Sequence, residues 1–231
     1  MLTLKGINQF YGQSHTLWDL DLHIDKGECL CLMGRNGVGK TTLLNVIMGQ
    51  LGLKSGQMEF DGQDLTRQGV EQRSRLGIGY VPQGRQIFPL LTVEENLRIG
   101  LPARRDGKKA IPDLVYDLFP VLAQMRQRRG GDLSGGQQQQ LAIGRALVLD
   151  PKLMILDEPT EGIQPNVVSE IGDIIKKLNK EIGLTVLLVE QKLPFARKVG
   201  DRFCLLDRGR NVADGAMASL GDDLIKEYLT V

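Results

Sequence analysis

The chain has 231 residues, of which 25% are charged, and its formal net charge is +1. This length suits one large domain or two small ones with a real hydrophobic core. The near-neutral charge excludes a protein that holds nucleic acid by bulk electrostatics, and the 3 cysteines, an odd number, do not suggest a disulfide framework.

Neither a secretion signal nor a membrane span is expected. Residues 1–5 lack the charged-then-apolar layout of a signal peptide, and no apolar stretch approaches the roughly 18–20 residues that cross a bilayer. A cytosolic protein is therefore expected, and any membrane role would come through a partner. Cys29 and Cys31 are expected to alternate faces of a buried strand, and Cys204 lies in another apolar run, so packing is the expected role of all three.

The N-terminal part predicts antiparallel strands that lead into a buried strand. Apolar and polar residues alternate through residues 2–33, with turn signals at 11–13 and 25–28. The apolar run 29–33 indicates the buried strand itself. Tyr11 is expected in a short loop, where edge packing is the favoured role from the residues alone.

A glycine-rich stretch follows this strand and leads into a helical pattern at 43–48. Gly34, Gly39, Lys40 and Thr41 match G-x-x-x-x-G-K-[ST] in the strand–turn–helix context that a phosphate-binding loop requires. Glycine permits the turn conformations that point successive N–H groups into one concavity, and the helix adds its positive end. A chance match in such a chain has odds on the order of one in a hundred.

The sequence therefore predicts a nucleotide-phosphate site in this loop. Lys40 is expected to reach the β- and γ-phosphates, and the Thr41 hydroxyl is expected to bind Mg²⁺. The residues assigned to the nucleotide here are Gly34, Arg35, Asn36, Gly37, Val38, Gly39, Lys40, Thr41 and Thr42.

The middle of the chain predicts a hairpin at 56–63 and a short buried strand at 77–81 that Pro82 ends. Gln83 stands just past the end of that strand. Residues 92–130 are expected to be helical and to begin with a capping box, in which Thr92 is the cap and Glu95 its partner. The basic stretches in this segment are expected to be solvated faces rather than a binding patch.

The triplet Ser134-Gly135-Gly136 precedes a helix that is expected to run to about residue 149. Taken alone, Ser134 would be an N-cap. A serine, two glycines and a positive helix end also form a second anion-binding surface. Such a surface is most useful if it closes over the nucleotide of another subunit.

Two carboxylates follow the buried strand predicted at 153–156. Asp157 is expected to hold Mg²⁺, and Glu158 suits the activation of a water molecule beside a metal-held triphosphate. The alternative is that both residues only cap the turn before Pro159.

The C-terminal part predicts a long helix, two strands and a short helix. One strand is expected at 184–189, where Glu190 and Gln191 follow it, and another at 202–207. The final helix is expected at 220–229. One face of the long helix is expected to carry the apolar residues Ile171, Ile174, Ile175, Leu178 and Ile182.

Apolar strands that alternate with helices imply a parallel sheet covered on both faces. In such sheets, ligands bind beyond the carboxyl ends of the strands. Gly34, Gln83, Asp157 and Gln191 each follow a different predicted strand. Four separate stretches of sequence are therefore expected to converge at one edge.

The chain resembles the ATP-binding cassette subunits of membrane transporters over essentially its whole length. The motifs that carry the resemblance occur in family order at 34–42, Gln83, 133–137 and 153–158. The resemblance implies an α/β fold over residues 1–231: a P-loop NTPase core with a mainly parallel sheet and an N-terminal antiparallel β subdomain. A helical subdomain at about 88–137, inserted in the core, would carry the signature motif.

The resemblance also implies roles for residues that the patterns alone leave open. Tyr11 would stack on adenine, and Gln83 would contact Mg²⁺ and the attacking water and couple to the transmembrane subunits. Glu158 becomes the general base. Gln191 stands at the catalytic position of the switch histidine. The residues expected to grip the γ-phosphate held by the opposing subunit are Ser134, Gly135, Gly136 and Gln137.

Within the family, residues 80–97 and 188–191 resemble the branched-chain amino acid and urea importer ATPases, and the loop 34–40 leans towards the urea branch. The implied function is ATP hydrolysis, with Mg²⁺, that energises uptake of a small polar solute. The implied partners are a second ATPase subunit, expected to be a different chain, two transmembrane permease subunits and an extracytoplasmic solute-binding protein. Nucleic acid is not expected, and the implied location is the cytoplasmic face of the inner membrane.

Two positions depart from the general cassette pattern: Gln191 replaces the switch histidine, and Gln164 replaces an aspartate. An amide can donate a hydrogen bond to a phosphate, but it cannot take up positive charge as imidazole can. A nucleotide-gated clamp with slow turnover is therefore the alternative function. A soluble cassette protein of translation or DNA repair would usually carry two cassettes or a coiled-coil insertion, and this chain has neither.

Overall fold

The computed structural model describes residues 1–230. The strands of this part of the chain are β1 (Leu2–Tyr11), β2 (Ser14–Ile24), β3 (Cys29–Met33), β4 (Ser55–Phe60), β5 (Gln63–Asp64), β6 (Ile78–Val81), β7 (Leu153–Asp157), β8 (Thr185–Val189), β9 (Arg202–Asp207) and β10 (Arg210–Ala216). Its α-helices are α1 (Lys40–Met48), α2 (Val70–Leu76), α3 (Val93–Arg98), α4 (Asp113–Leu118), α5 (Pro120–Gln124), α6 (Gly135–Leu147), α7 (Pro165–Lys180), α8 (Leu193–Val199) and α9 (Asp222–Tyr228).

The alternating N-terminal segment forms an antiparallel sheet with the strand order β2-β1-β4-β5. Leu2 and Leu4 are buried, because side chains that share a face recur at every second position of a strand. A register shift after Leu4 then makes Ile7 the next inward residue. The predicted antiparallel strands are confirmed. Tyr11 was expected in a loop, but it is the last residue of β1 and pairs with Ser14 across the turn.

The apolar strands form the second sheet, with the order β10-β9-β3-β8-β7-β6. All of its neighbours are parallel except β10, which pairs antiparallel with β9. Every residue of β3, β7 and β8 is buried, as expected of strands covered on both faces. The sequence prediction of a mainly parallel sheet is confirmed.

Two hydrophobic cores lie on the two faces of this sheet. Leu30 and Leu32 of β3 pack in one core with α1 and the antiparallel sheet. Cys29 and Cys31 pack in the other core with α6, α7 and α8. The expectation that these two cysteines alternate faces was wrong, since residues two apart on a strand share a face. Their packing role is confirmed: Cys29, Cys31 and Cys204 are all buried and free.

A buried arginine fixes the helix that follows the glycine-rich loop. The Arg73 side chain, 2% exposed, donates to the carbonyls of Val46 and Ile47 in the last turn of α1, each at 2.7 Å. It also donates to the carbonyls of Leu65 and Gln68. The Val46 carbonyl also accepts from the Gly49 N–H at 3.1 Å. Since the last carbonyls of a helix lack partners within the helix, the bond to Ile47 satisfies a group that burial would otherwise leave unpaired.

The segment predicted as helical at 92–130 is only partly so. It contains the short helices α3, α4 and α5, separated by turns and by a loop that includes Gly107 and Pro112. Proline removes a backbone donor and glycine weakens a helix, so one long helix is not possible here. The predicted capping box is confirmed, with the Glu95 N–H donating to Thr92 Oγ1 at 3.2 Å.

The prediction for α7 was right for four of its five apolar positions: Ile171, Ile174, Ile175 and Leu178 are buried. Ile182 is 48% exposed because α7 ends at Lys180, and Gly183, at φ 77°, then turns the chain towards β8. Within residues 1–230, none of the helices has the length and apolar character needed to cross a membrane.

Candidate functional site

The four residues predicted to converge do so because their strands are neighbours. In the order β3-β8-β7-β6, the carboxyl ends carry Gly34, Gln191, Asp157 and Gln83 respectively. Hydrogen bonds join the loops at this edge. Gln191 Nε2 donates to Asn36 Oδ1 at 2.8 Å and also to Glu158. Gln83 Nε2 lies 3.4 Å from Glu158 Oε2.

Three glycines of the loop between β3 and α1 adopt backbone conformations that other residues rarely enter. Their φ angles are 149° at Gly34, 80° at Gly37 and 109° at Gly39. A Cβ at Gly34 would lie only 2.3 Å from the carbonyl oxygen of Leu206. All three positions therefore favour glycine for their torsion angles, and Gly34 requires it for space as well. The loop ends at Lys40, the first residue of α1, so the helix N-terminus opens into the same concavity.

Lys40 places a buried positive charge inside this loop. Its side chain donates from Nζ to the carbonyl oxygens of Gly34, at 2.7 Å, and Arg35, at 2.8 Å. Burial lowers the pKa of Lys40, and the charges of Glu158 and Asp157 partly oppose that shift. A cation held by backbone carbonyls can exchange them for phosphate oxygens, which are stronger partners because they are charged.

A cavity of about 190 Å³ lies at this edge of the sheet. Its wall contains Thr16 of β2, a residue that the sequence motifs did not single out. The backbone of Thr16 approaches the loop closely, since its carbonyl oxygen would lie 3.6 Å from a Cβ at Gly39. The other lining residues are Asn36, Gly37, Gly39, Lys40, Thr41, Thr42, Gln83 and Glu158.

Two adjacent carboxylates face the loop. Asp157, the last residue of β7, is 3% exposed, and Tyr80 Oη donates to it at 3.5 Å. Burial, and then the charge of Glu158, raise the pKa of Asp157 to about 6, although Tyr80 and Lys40 act in the opposite direction. Glu158 follows with a positive φ of 46° and accepts hydrogen bonds from Gln83 and Gln191. The predicted pair of carboxylates therefore lies at the same edge as the loop.

This raised pKa predicts that Asp157 destabilises the nucleotide-free protein above its titration range. The native state holds the proton more tightly than the unfolded chain, whose carboxyl has a pKa near 3.8. Stability is therefore lost as the pH rises from about 4 to about 6 and is not regained above that range. We expect Asp157→Asn to stabilise the protein at about pH 7.5, by up to about 3 kcal/mol, and to have little effect near pH 4.

Urea unfolding at the two pH values measures this difference. Asp117→Asn is the matched control, because Asp117 is exposed on α4 and makes no ion pair within residues 1–230. An equal change in the free energy of unfolding at both pH values would contradict the prediction.

The residues at this edge fit a magnesium ion by the chemistry of their donors. Thr41 offers a hydroxyl, Asp157 a carboxylate and Gln83 an amide oxygen, which are the hard oxygen ligands that Mg²⁺ takes in proteins. The described residues contain no group of three or more His, Cys, Asp or Glu side chains placed to hold a metal. The remaining ligands would therefore come from water and phosphate oxygens, as is usual where Mg²⁺ binds with a nucleotide.

Five predicted site residues belong to this edge of the sheet without lining the cavity: Gly34, Arg35, Val38, Asp157 and Gln191. Two further sets, the residues around Ser134 and Tyr11, also lie outside it. Ser134 caps α6, where its Oγ accepts from the Gln137 N–H and its own N–H donates to Gln137 Oε1 at 2.9 Å. Ser134 is exposed, and Gly135 and Gly136 follow it in the first turn. Tyr11 is 49% exposed and does not line the cavity. The chain does not bring these residues to its own phosphate loop.

A family model described as ABC transporter matches residues 17–161, which include the loop, both carboxylates and Ser134. The chain belongs to the ABC transporter family. As a member of this family it is an ATPase, and ATP is its nucleotide. Its relatives include the glutamate/aspartate import ATP-binding protein GltL, and the chain is the ATP-hydrolysing subunit of an ABC importer.

Two curated relatives match nearly the full chain. The high-affinity branched-chain amino acid transport ATP-binding protein BraG of Pseudomonas aeruginosa is 41% identical over 95% of this chain and 94% of its own. The glutamate/aspartate import ATP-binding protein GltL of Escherichia coli K12 is 34% identical over 96% of this chain and 94% of its own.

Solved cassettes share the fold of this ABC subunit. One is a dimeric ATP-binding cassette in a post-hydrolysis state with ADP and Pi, at a TM-score of 0.83 and 28% identity over 94% of this chain and 99% of the other. Another is a nucleotide-free cassette from an ABC transporter, at a TM-score of 0.82 and 29% identity over 99% and 94%.

Proposed function

We propose that this ABC subunit energises the uptake of branched-chain amino acids through separate membrane subunits. The observation that carries the proposal is the edge of the parallel sheet, where the phosphate loop, Glu158 and Gln83 line one cavity. The buried Asp157 ends β7 directly before Glu158 at the same edge. The amino acid assignment is supported by the 41% identity to BraG. It is also supported by 38% identity, over 95% of this chain, to the "probable branched-chain amino acid transport ATP-binding protein LivF" of Archaeoglobus fulgidus.

In this proposal the loop and α1 bind the phosphates of ATP. The N–H groups of the loop hold the phosphate oxygens, and Lys40 moves its ammonium from the carbonyls of Gly34 and Arg35 to the β- and γ-phosphates. The remaining residues assigned to the phosphates are Asn36, Gly37, Val38, Gly39, Thr41 and Thr42.

Three side chains are assigned to Mg²⁺: Thr41, Gln83 and Asp157. When bound, the ion neutralises charge that develops on the β- and γ-phosphate oxygens. Asp157 would be ionised when it serves as a ligand, since a cation favours the charged carboxylate. Because burial raises the pKa of this carboxyl to about 6 in the free protein, Mg²⁺ competes with a proton for Asp157 near that pH.

Glu158 is assigned as the general base. Its carboxylate lines the cavity beside Lys40 and receives the side-chain amides of Gln83 and Gln191. These two amides fix the direction of the carboxylate without giving it a proton. Gln191 stands where the family usually has histidine, so it would contact the γ-phosphate as a neutral donor.

A second subunit would complete the site. Ser134 caps α6, and Gly135, Gly136 and Gln137 form its first turn. The capping box engages the N–H groups of Ser134 and Gln137, whereas those of Gly135 and Gly136 make no hydrogen bond within residues 1–230 and can donate to phosphate oxygens. We assign Ser134, Gly135, Gly136 and Gln137 to the γ-phosphate held by the opposing subunit. The pairing of two subunits is supported by the solved cassette that is dimeric with ADP and Pi bound. Tyr11 is assigned to adenine, because its exposed ring ends β1 near the turn that leads towards Thr16.

The proposed assembly has further subunits. The partner ATPase is expected to be a different chain, and the complex would include two transmembrane permeases and an extracytoplasmic solute-binding protein. The chain would be one cassette over 1–231 with a helical subdomain at about 88–137. It would lie at the cytoplasmic face of the inner membrane, held there by the permeases.

Urea is the second candidate solute, because the loop Gly34–Lys40 leans towards the urea branch of these importers. Uptake by the intact complex distinguishes the two solutes. The complex would be purified from native membranes, and its solute-binding protein would be identified and titrated with leucine, isoleucine, valine and urea.

We expect micromolar or tighter binding of branched-chain amino acids, and ATP-dependent uptake of the same compounds in vesicles. Selective binding and uptake of urea would replace the amino acid assignment. Failure to recover any integral membrane protein with the subunit would overturn the transport function and favour the nucleotide-gated clamp.

A further inference from the structure

We propose that Glu161 is a positioning residue that orients the amide of Gln83 towards the magnesium site. This inference rests on the assignment of Gln83 as a Mg²⁺ ligand. Gln83 Nε2 donates to Glu161 Oε2 at 3.0 Å, and the longer contact to Glu158 Oε2 is 3.4 Å. Glu161 is thus the closer of the two carboxylates that receive this amide.

The identity of these partners determines which end of the amide faces them. An ionised carboxylate only accepts hydrogen bonds, so Glu158 and Glu161 both require the nitrogen of Gln83 rather than its oxygen. No hydrogen bond is made to Gln83 Oε1 within residues 1–230. The carboxylates therefore hold the donor end of the side chain and leave its oxygen, the end that binds a cation, available.

A separate set of contacts holds Glu161 in place. Its own N–H donates to the carbonyl of Glu158 at 3.1 Å, which closes a turn after β7. Arg85 then reaches across from the loop that carries Gln83. Its Nη2 donates to the carbonyl of Glu161 at 3.3 Å and to that of Gly162 at 3.4 Å.

Arg85 also connects this turn to α6, the helix that Ser134 caps. Its Nη1 lies 3.4 Å from Gln138 Oε1 of α6, and a Cβ at Gly135 would lie 3.2 Å from the same nitrogen. Arg85 has a positive φ of 69°, a conformation that costs free energy for a residue with a side chain. In this conformation the Arg85 side chain contacts both the turn at Glu161 and helix α6.

A residue that hydrogen-bonds to the end of a metal ligand that does not touch the metal fixes the orientation of that ligand. Loss of such a residue typically weakens metal binding by about 10–100-fold. We expect Glu161→Ala to raise the Mg²⁺ concentration required for half-maximal enhancement of ATP binding by about tenfold. Without Mg²⁺, ATP affinity should not fall, since removing a negative charge near the phosphates can only favour the anion.

The experiment measures binding of a fluorescent ATP analogue to the full chain, in EDTA and across a Mg²⁺ titration. The variants are Glu161→Ala, Gln83→Ala and the double variant, with Glu170→Ala as the matched control. Glu170 is an exposed carboxylate on α7 that makes no ion pair in the described part of the chain. We expect Glu161→Ala to shift the Mg²⁺ requirement of the native protein and to add nothing in the Gln83→Ala background.

The outcomes separate this inference from the proposed function. An unchanged Mg²⁺ requirement in Gln83→Ala would remove Gln83 as a ligand and with it the role of Glu161. If the Mg²⁺ requirement rose in Gln83→Ala but not in Glu161→Ala, the assignment of Gln83 as a ligand would stand and only the positioning role of Glu161 would be overturned. Equal losses of ATP affinity in EDTA and in Mg²⁺, or additive effects in the double variant, would show that Glu161 acts by another route.

Discussion

Lys40→Ala is expected to weaken ATP binding by at least about a hundredfold and to abolish transport. The variant removes a buried cation that lies within the loop and is already bound to two backbone carbonyls. A hydrogen bond to a charged partner contributes about 1.5–3 kcal/mol, and Lys40 would make such bonds to two phosphates. Calorimetric titration with ATP and Mg²⁺ measures the loss.

Lys54→Ala serves as the control for the charge change, since Lys54 is an exposed residue before β4 and does not line the cavity. Its affinity for ATP should match that of the unaltered protein. If the Lys40→Ala protein kept its affinity within about threefold, the assignment of the loop to the triphosphate would be wrong, because a loss below about 0.7 kcal/mol is too small for a charged contact.

Glu158→Gln is expected to retain ATP binding, to lose about 10²–10⁴-fold in turnover and to accumulate the closed dimer. A positioned general base contributes rate enhancement of this size, and glutamine cannot accept a proton. The substitution keeps the shape of a side chain that touches Gln83 and Gln191. Single-turnover hydrolysis and sedimentation of the purified complex with ATP measure the two effects.

Glu170→Gln provides the same chemical change at an exposed position on α7, and its turnover should be unaltered. Rapid hydrolysis by the Glu158→Gln protein would contradict the assignment of Glu158 as the base. Loss of ATP binding together with turnover would instead assign Glu158 to binding.

Much of the fold was predictable because the buried strands are short apolar runs with polar residues at their ends. The runs 29–33, 153–157 and 185–189 are buried throughout, and each leads into a residue of the site. The carboxyl ends of parallel strands meet at one edge, so the sequence alone predicts that Gly34, Asp157 and Gln191 lie together.

Contacts between distant loops were not predictable in the same way. Glu161 and Arg85 lie 76 positions apart and carry no motif. The sequence also does not indicate the positive φ that Arg85 adopts. Thr16 lines the cavity, and its carbonyl oxygen lies close to Gly39, an approach that no sequence pattern reveals. Ile182 was misplaced because periodicity continues beyond the point at which Gly183 turns the chain.

Residues that act across a subunit boundary form a third group. Ser134 fulfils the prediction of an N-cap on α6, and Tyr11 ends a strand. Each of these local roles accounts for the residue within one chain. Their proposed contacts with nucleotide depend on atoms of ATP and of a neighbouring subunit, so a single chain cannot reveal them.

The most direct test of the central proposal is a structure of the assembled transporter that carries Glu158→Gln in this subunit, determined with ATP and Mg²⁺. We expect the triphosphate of one nucleotide in the loop Gly34–Thr42, covered by the partner ATPase, and Ser134 within hydrogen-bonding distance of the nucleotide that the partner holds. An empty loop in the presence of saturating ATP, or a Ser134 far from every nucleotide and subunit boundary, would contradict the proposal.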